Sequence, residues 1–392
     1  MSNCVRIGVI GIGNMGTAHA ACLQKGAIDG LQLAAVCDCD EQKRTFCTEK
    51  FPNVPFFDDW HALLQSRMVD AVIIAVPHRL HALMAQTALE AGLHVMCEKP
   101  VDITVSAAKR LNDAAAKSDR VFGIMFNQRT NPLFAKAREL VQSGALGALK
   151  RTNWLITNWY RTQAYYDSGS WRATWAGEGG GVLLNQAPHN LDLWQWICGM
   201  PTRVMAFCPV GKYHNIEVED EATLLVAYEN GATGSFITST GEFPGTNRLE
   251  IVGTRGQLVL EKGVLKFWQL DTDERDFCFS CTEGFAEIPH TYTEYTPDRP
   301  ETAHQGILQN FANAILHGEP LLARGTDGIF ELTLSNAAYL SAWNNNQWVA
   351  LPFDSEAFDR QLQERAATSA FSRETTPEAA QESYRVRWSV NW

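Results

Sequence analysis

The chain has 392 residues, 45% of them hydrophobic and 20% charged, the balance of a soluble globular protein with material for two or three domains. A net charge of -11 with no long Lys/Arg run argues against a nucleic-acid or anionic-membrane surface, so the expected partner is a small soluble ligand. No segment reaches the roughly 20 apolar residues of a membrane span, and the apolar run "CVRIGVIGIG" has no basic stretch before it, so a cytoplasmic protein is expected.

From Cys4 to Met125, short apolar strands ("VRIGVI", "LQLAAVC", "DAVIIAV", "GLHVMC", "RVFGIM") alternate with helix-like segments at 15–26, 41–50, 80–91 and 104–117. That alternation predicts a parallel sheet covered by helices. The first strand runs straight into "GIGNMG" at 11–16, a complete GxGxxG opening a helix. Gly11 permits the tight turn, Gly13 lets the backbone approach a pyrophosphate, and Gly16 allows close packing of helix on strand. Asn14 and Met15 lie within the motif and are counted with the cofactor contacts. Asp38 ends the second strand about 20 residues beyond the last glycine, the usual place for a ribose-binding acid. Its charge would repel a 2'-phosphate, so NAD is expected over NADP; Asp40, two residues on, is the alternative helix cap in "CDCDEQ".

The strand "GLHVMC" ends in "EKPVDITV" at 98–105. Read locally, Pro100 stops the strand because it has no ladder donor, and Glu98 and Lys99 are solvated. Read chemically, Lys99 is a catalytic ammonium.

After Asn127 a helix over about 131–143 leads through "SGALGALK" into longer alternating stretches that predict a mainly antiparallel sheet. Between them, "NWYRTQAYYDSGSWRATWAGEGGG" is turn-rich and aromatic, and "NQAPHNLD" at 185–192 follows its glycines. Two amphipathic segments, 302–317 and 325–343, complete the domain, and the polar tail from about 355 has little core to offer. The divisions expected are 1–126 for the dinucleotide domain, 127–350 for an α+β domain, and 351–392 for a C-terminal extension. Ten cysteines scatter through the chain, several in apolar strands, which suits buried thiols in a reducing compartment. "CFSC" at 278–281 has no second pair and reads as alternating strand residues; "HRLH" at 78–81 lacks a third ligand. No metal is expected.

Together, "GIGNMG", "AVPHRLH", "AGLHVMCEKP", "FNQRTNPLF", "SGALGALK" and "GEGGGVLLNQAPHNLDLWQWICG" make the chain resemble the glucose-fructose oxidoreductase and inositol dehydrogenase family, Gfo/Idh/MocA, over residues 4–345. The resemblance implies an α/β protein: a Rossmann domain, then an α+β domain with a large open, mainly antiparallel sheet. The active site would lie between them, with homo-oligomer contacts, dimer or tetramer, through that sheet. It makes Lys99 the catalytic lysine and puts Glu98 by the nicotinamide ribose, with Val76, Pro77, His78, His81 and Asn127 beside the cofactor. His189 matches the proton-relaying histidine. Asn185 stands where the family usually has aspartate, and a neutral amide can orient an imidazole but cannot stabilise the imidazolium as a carboxylate would. Trp159, Tyr160, Arg161, Trp171, Arg172 and Trp175, with Arg129 and His189, are the expected substrate contacts, aromatic faces and arginine donors suiting a polyhydroxylated ring.

The activity so implied is hydride transfer between NAD and a secondary alcohol of a sugar, glycoside or cyclic polyol. Two alternatives share the fold: a glycoside hydrolase or lyase working through a transient keto-sugar, and a non-catalytic NAD-binding regulator. Retention of both Lys99 and His189 speaks against the last.

Overall fold

The computed structural model describes residues 4–169 and 171–369. Six strands, β1 (Val5–Ile10), β2 (Leu31–Cys37), β3 (Phe56–Phe57), β4 (Ala71–Ile74), β5 (His94–Cys97) and β6 (Phe122–Ile124), form one sheet in the order β3-β2-β1-β4-β5-β6. Every pair in it is parallel. The strands are short apolar runs because helices cover both faces: Ile7, Val9, Val72, Ile73, Val95 and Cys97 are wholly buried. The order reverses between β1 and β4, which opens a crevice at the carboxyl ends of the strands.

The second sheet has nine strands: β7 (Leu149–Ile156), β8 (Arg203–Phe207), β9 (Glu221–Ala227), β10 (Thr233–Ser239), β11 (Asn247–Gly253), β12 (Gly256–Glu261), β13 (Val264–Leu270), β14 (His290–Tyr295) and β15 (Val349–Ala350). They are ordered β14-β13-β12-β11-β7-β10-β9-β8-β15. Among these pairs β7 and β10 run parallel and the others antiparallel. Burial alternates along β9 and β11, as one covered and one open face require. On the covered face Trp154 and Trp194 pack against Phe236, with ring centroids 6.2 and 5.5 Å away. On the other, Leu155, Phe207 and Leu225 remain exposed.

The helix Gly328–Trp343 joins the two sheets. Asn336 on it accepts from Val105 N (3.0 Å) and donates to Ile103 O (3.1 Å), tying it to the start of the helix Val105–Ala115. Beside it lies a buried ionic cluster that corrects one expectation. Arg129, anticipated as a substrate contact, is 2% exposed and grips both carboxylate oxygens of Asp192 (2.8 and 2.6 Å), Asp327 (2.9 Å) and Leu322 O (3.0 Å). Its donors are engaged inside the protein, where a bidentate fork suits a buried carboxylate.

Two further expectations are corrected here. The segment after 355 does contribute core: the helix Ser355–Ala367, capped by Asp354, buries Phe358 and Leu362, and Phe358 stacks on Trp343 at 5.3 Å. Two apolar residues four apart on one helical face suffice for docking, despite the polar composition around them. The rest of the tail, 370–392, lies outside the described residues. Cys278 is on a short helix, Glu274–Ser280, started by the Asp273 cap, with Cys281 just after it. All ten cysteines, each among the described residues, are free. Among the described residues no helix is long and apolar enough to cross a membrane, and no group of three or more His, Cys, Asp or Glu is placed to hold a metal ion.

Candidate active site

The glycine loop is built as its motif requires. Gly11 has φ +90°, and a Cβ there would lie 2.4 Å from Ala75 O; a Cβ on Gly16 would lie 1.7 Å from Gly11 O. A Cβ on Gly13, by contrast, would meet nothing within 4 Å, so the backbone at the start of the helix Asn14–Gln24 faces open space. No side chain caps that helix, which leaves its first-turn N–H groups for an anion. Asp38 accepts from Ile12 N (2.6 Å) and Asp40 N (3.0 Å), while Asp40 itself caps the next helix through Gln42 N (2.9 Å). Each Asp38 oxygen has accepted one N–H bond and keeps a further lone pair. These residues fit a dinucleotide with its diphosphate at the helix start and a ribose at Asp38.

The other carboxyl ends complete this edge. Val76 abuts Gly11, its Cγ1 2.9 Å from where a Gly11 Cβ would be, and Pro77 beside it is exposed. Asn127 follows β6 and its Oδ1 is buried without a hydrogen-bond partner among the described residues. After β5, buried Glu98 pairs with His19 Nε2 at 2.7 Å. Burial opposes its ionised form and is the largest single influence, but the His19 hydrogen bond together with the charges of His19, His304 and Lys99 outweighs it and holds the carboxyl down at about 2. Lys99, half-buried, donates from Nζ to Asn185 O at 3.0 Å, bringing the two halves of the chain together.

His81 was expected at the cofactor and is not there. It is 1% exposed, with Nδ1 facing Pro100 O at 2.6 Å and Nε2 facing Val76 O at 2.8 Å. It therefore ties the loop after β4 to the loop after β5. His78, one helical turn earlier, does face the site, its ring 6.1 Å from that of Trp171.

From the second half come Asn185 and His189, but not as a pair. The helix Val182–Asn185 stops and a new one, Pro188–Cys198, begins, so the four-residue spacing no longer stacks the two side chains. The Asn185 amide donates to Glu178 Oε1 and accepts from Tyr165 OH (3.3 Å) and Gln186 Nε2 (3.2 Å). His189 stands edge-on to Phe126 with centroids 6.4 Å apart, and its Nδ1 has no partner among the described residues. Burial first, then the Lys99 charge, pushes this imidazole well below its ordinary range.

Aromatic residues divide into two groups. Trp175, expected at the substrate, is 7% exposed and packs edge-on against Tyr339 and Trp343 (5.7 and 5.5 Å), so it belongs to the core. Trp159 is equally buried, beneath the Arg161 guanidinium. Tyr160 is 45% exposed and Trp171 half-buried. Arg161 and Arg172 both lie over the Tyr165 ring, at 5.2 and 4.9 Å, and Arg172 also covers Trp171 at 4.7 Å.

Four acid and imidazole groups were missed by sequence reasoning: His19, Glu178, Glu219 and His304. Glu219 accepts from Gly181 N, Leu183 N (both 2.9 Å) and Tyr339 OH (2.8 Å), fixing the start of the short helix that ends at Asn185; burial pushes it up to about 7. His19 and His304, with ring centroids 5.8 Å apart, border a cavity of about 520 Å³ that also touches Met15, Cys22, Glu301 and Leu308. Only Glu178 carried a visible signal, as an acid set within glycines.

Residues 5–126 match the model of an oxidoreductase family with an NAD-binding Rossmann fold, and residues 134–259 match the GFO/IDH/MocA C-terminal domain. The chain is 26% identical to myo-inositol 2-dehydrogenase of Thermotoga maritima over 85% of its own length and 95% of that protein's. It is 25% identical to levoglucosan dehydrogenase of Pseudarthrobacter phenanthrenivorans, over 89% and 98% respectively. Among solved structures, the WlbA dehydrogenase of Chromobacterium violaceum, in complex with NADH and UDP-GlcNAcA, is similar with a TM-score of 0.75 at 27% identity, covering 90% of this chain and 97% of that one.

Proposed function

The chain belongs to the GFO/IDH/MocA oxidoreductase family and is an NAD-binding oxidoreductase, and from that premise we propose that it oxidises or reduces a secondary alcohol carbon of a sugar, glycoside or cyclic polyol. Bound NAD would supply the hydride acceptor or donor. The observation that carries the reading is the position of Lys99: its ammonium stands at the carboxyl end of β5, anchored on Asn185 O, on the edge that also holds the glycine loop. There Lys99 hydrogen-bonds the reacting oxygen and stabilises its alkoxide character. His189, neutral at pH 7 because it is pushed low, is the acceptor for the hydroxyl proton. Its exposed side remains for substrate, since only Nδ1 is shut in. Tyr160, Trp171, Arg161 and Arg172 offer stacking faces and donors for a hydroxylated ring.

The relatives' names, inositol and levoglucosan dehydrogenases, support that substrate class. The decisive experiment incubates purified protein and NAD with myo-inositol, levoglucosan and a set of glucosides, following NADH absorbance and products together. Formation of NADH and a ketone from at least one of them is expected. Cleaved glycoside without net NADH would instead identify the hydrolase or lyase chemistry, and no product from any would sink the substrate class.

The open face of the nine-stranded sheet, with Leu155, Phe207 and Leu225 exposed, is the surface through which a homodimer or tetramer would form. Free cysteines throughout support a cytoplasmic setting.

A further inference from the structure

We propose that Glu178 is the active-site carboxylate of this chain: held against Asn185, it supplies the negative charge that position 185 lacks and positions the ammonium of Lys99. The inference deepens the reading of Lys99 given above and rests on it.

Glu178 is 2% exposed, in a turn closed by Glu178 N and Gly179 N on Thr174 O, both 3.0 Å. Its Oε2 accepts from Ala173 N at 2.7 Å, and its Oε1 accepts from Asn185 Nδ2. The direction of the second bond is fixed by the far side of the amide. Asn185 Oδ1 already receives Tyr165 OH and Gln186 Nε2, so the group facing Glu178 is the NH₂. Both carboxyl oxygens thus meet N–H donors, and each of these bonds favours the ionised form.

Buried carboxylates need compensating charge, and two cations supply part of it. Burial is the largest influence and raises the Glu178 carboxyl above its ordinary range; against it work Arg172, from the aromatic segment, then the Ala173 N and Asn185 bonds, and then Lys99, from the end of β5. Lys99 in turn binds the peptide oxygen of the same Asn185 whose amide holds Glu178. Glu98, His78, His81, His189, His304 and Glu331 are further titratable groups interacting electrostatically with Lys99.

The asparagine at 185 then has a physical reason. An aspartate there would set two carboxylates against each other in a buried site, which costs strongly. An amide instead bridges an acceptor on one side to donors on the other. The charge stands at position 178 instead of 185.

The test needs no substrate, so it stands apart from whether the sugar or polyol assignment is right. Lys99 in the full-length protein is labelled with acetic anhydride across a pH series and quantified by mass spectrometry, with NAD binding and thermal melting as checks of fold. In Glu178→Gln, the pH at which Lys99 becomes half-reactive should fall by about 1 unit, the scale of losing a near opposite charge. In Glu178→Gln/Asn185→Asp, the glutamine can accept from Ala173 N and donate to the new carboxylate, so one charge is restored and the profile should return toward wild type. An unchanged profile in a folded Glu178→Gln, or a double variant that keeps the single variant's shift, overturns the proposal. Should Glu178→Gln not fold, the double variant decides: folded with a wild-type profile it supports the displacement of charge, and unfolded or shifted it refutes it.

Discussion

At the carboxyl edge of the parallel sheet, the residues facing the site follow their strands by one to a few positions: Gly11 after β1, Val76 after β4, Glu98 and Lys99 after β5, Asn127 after β6. Among the described residues the segment from Trp159 to His189 carries no strand; they form short helices and turns. Its side chains are placed by one another, through Arg161 and Arg172 over Tyr165, Glu178 on Asn185 and Glu219 on Gly181 and Leu183. In the first region the main chain positions the groups, and one substitution should change one function. In the second the positioning is tertiary, and single substitutions should spread.

The largest effect is expected where the tertiary region is anchored. Arg129→Leu leaves Asp192 as a buried carboxylate without its cation, Asp327 keeping Arg324, and should lower unfolding free energy by about 3–5 kcal/mol in urea titration. Near-wild-type stability with a raised KM would instead return Arg129 to the substrate. Next is Phe358→Ala, which empties a fully buried site stacked on Trp343 and should cost about 3–4 kcal/mol. A loss under about 1 kcal/mol would mean that the helix Ser355–Ala367 is a passenger on the fold.

Lys99→Met sharpens the comparison from the other side. Turnover should fall by a factor on the order of 100 or more, while NAD affinity and melting temperature stay near wild type. Should stability fall with turnover, Lys99 would belong with the tertiary group, as a brace on Asn185 O rather than a reacting cation.

The same division explains what could be read before any coordinates. The five longer strands of the parallel sheet, the glycine loop and the end of β5 follow from local patterns: apolar runs, a GxGxxG and a proline after a strand, whereas β3, only two residues long, leaves no such run. Arg129 and Trp175 were misassigned because their types suit a carbohydrate and their neighbours in sequence are turn-like. Their real partners, Asp192 and Asp327 for the one, Tyr339 and Trp343 for the other, are distant in sequence and leave no local mark. His81 failed differently, since a histidine beside a cofactor loop can face either way, and two backbone carbonyls hold it inward. The pairing of Asn185 with His189 was expected from the family resemblance, not from the local sequence. The break at Gln186 and Ala187, just before Pro188, was the available warning.

The smallest effect concerns Asp38, where even a residue read from local pattern does two things. Its Oδ2 accepts from Ile12 N inside the glycine loop, and its remaining lone pairs are those proposed for the ribose hydroxyls. Asp38→Asn keeps an oxygen for Ile12 N but loses the charge that disfavours a 2'-phosphate, so it should weaken NAD little while narrowing its preference over NADP. Asp38→Ala removes both functions and should weaken NAD about tenfold, roughly 1.4 kcal/mol. Titration calorimetry of both variants with both cofactors separates them. If Asn and Ala weaken NAD equally and leave the preference unchanged, Asp38 acts only as a brace of the loop. The first region would then share the tertiary character of the second.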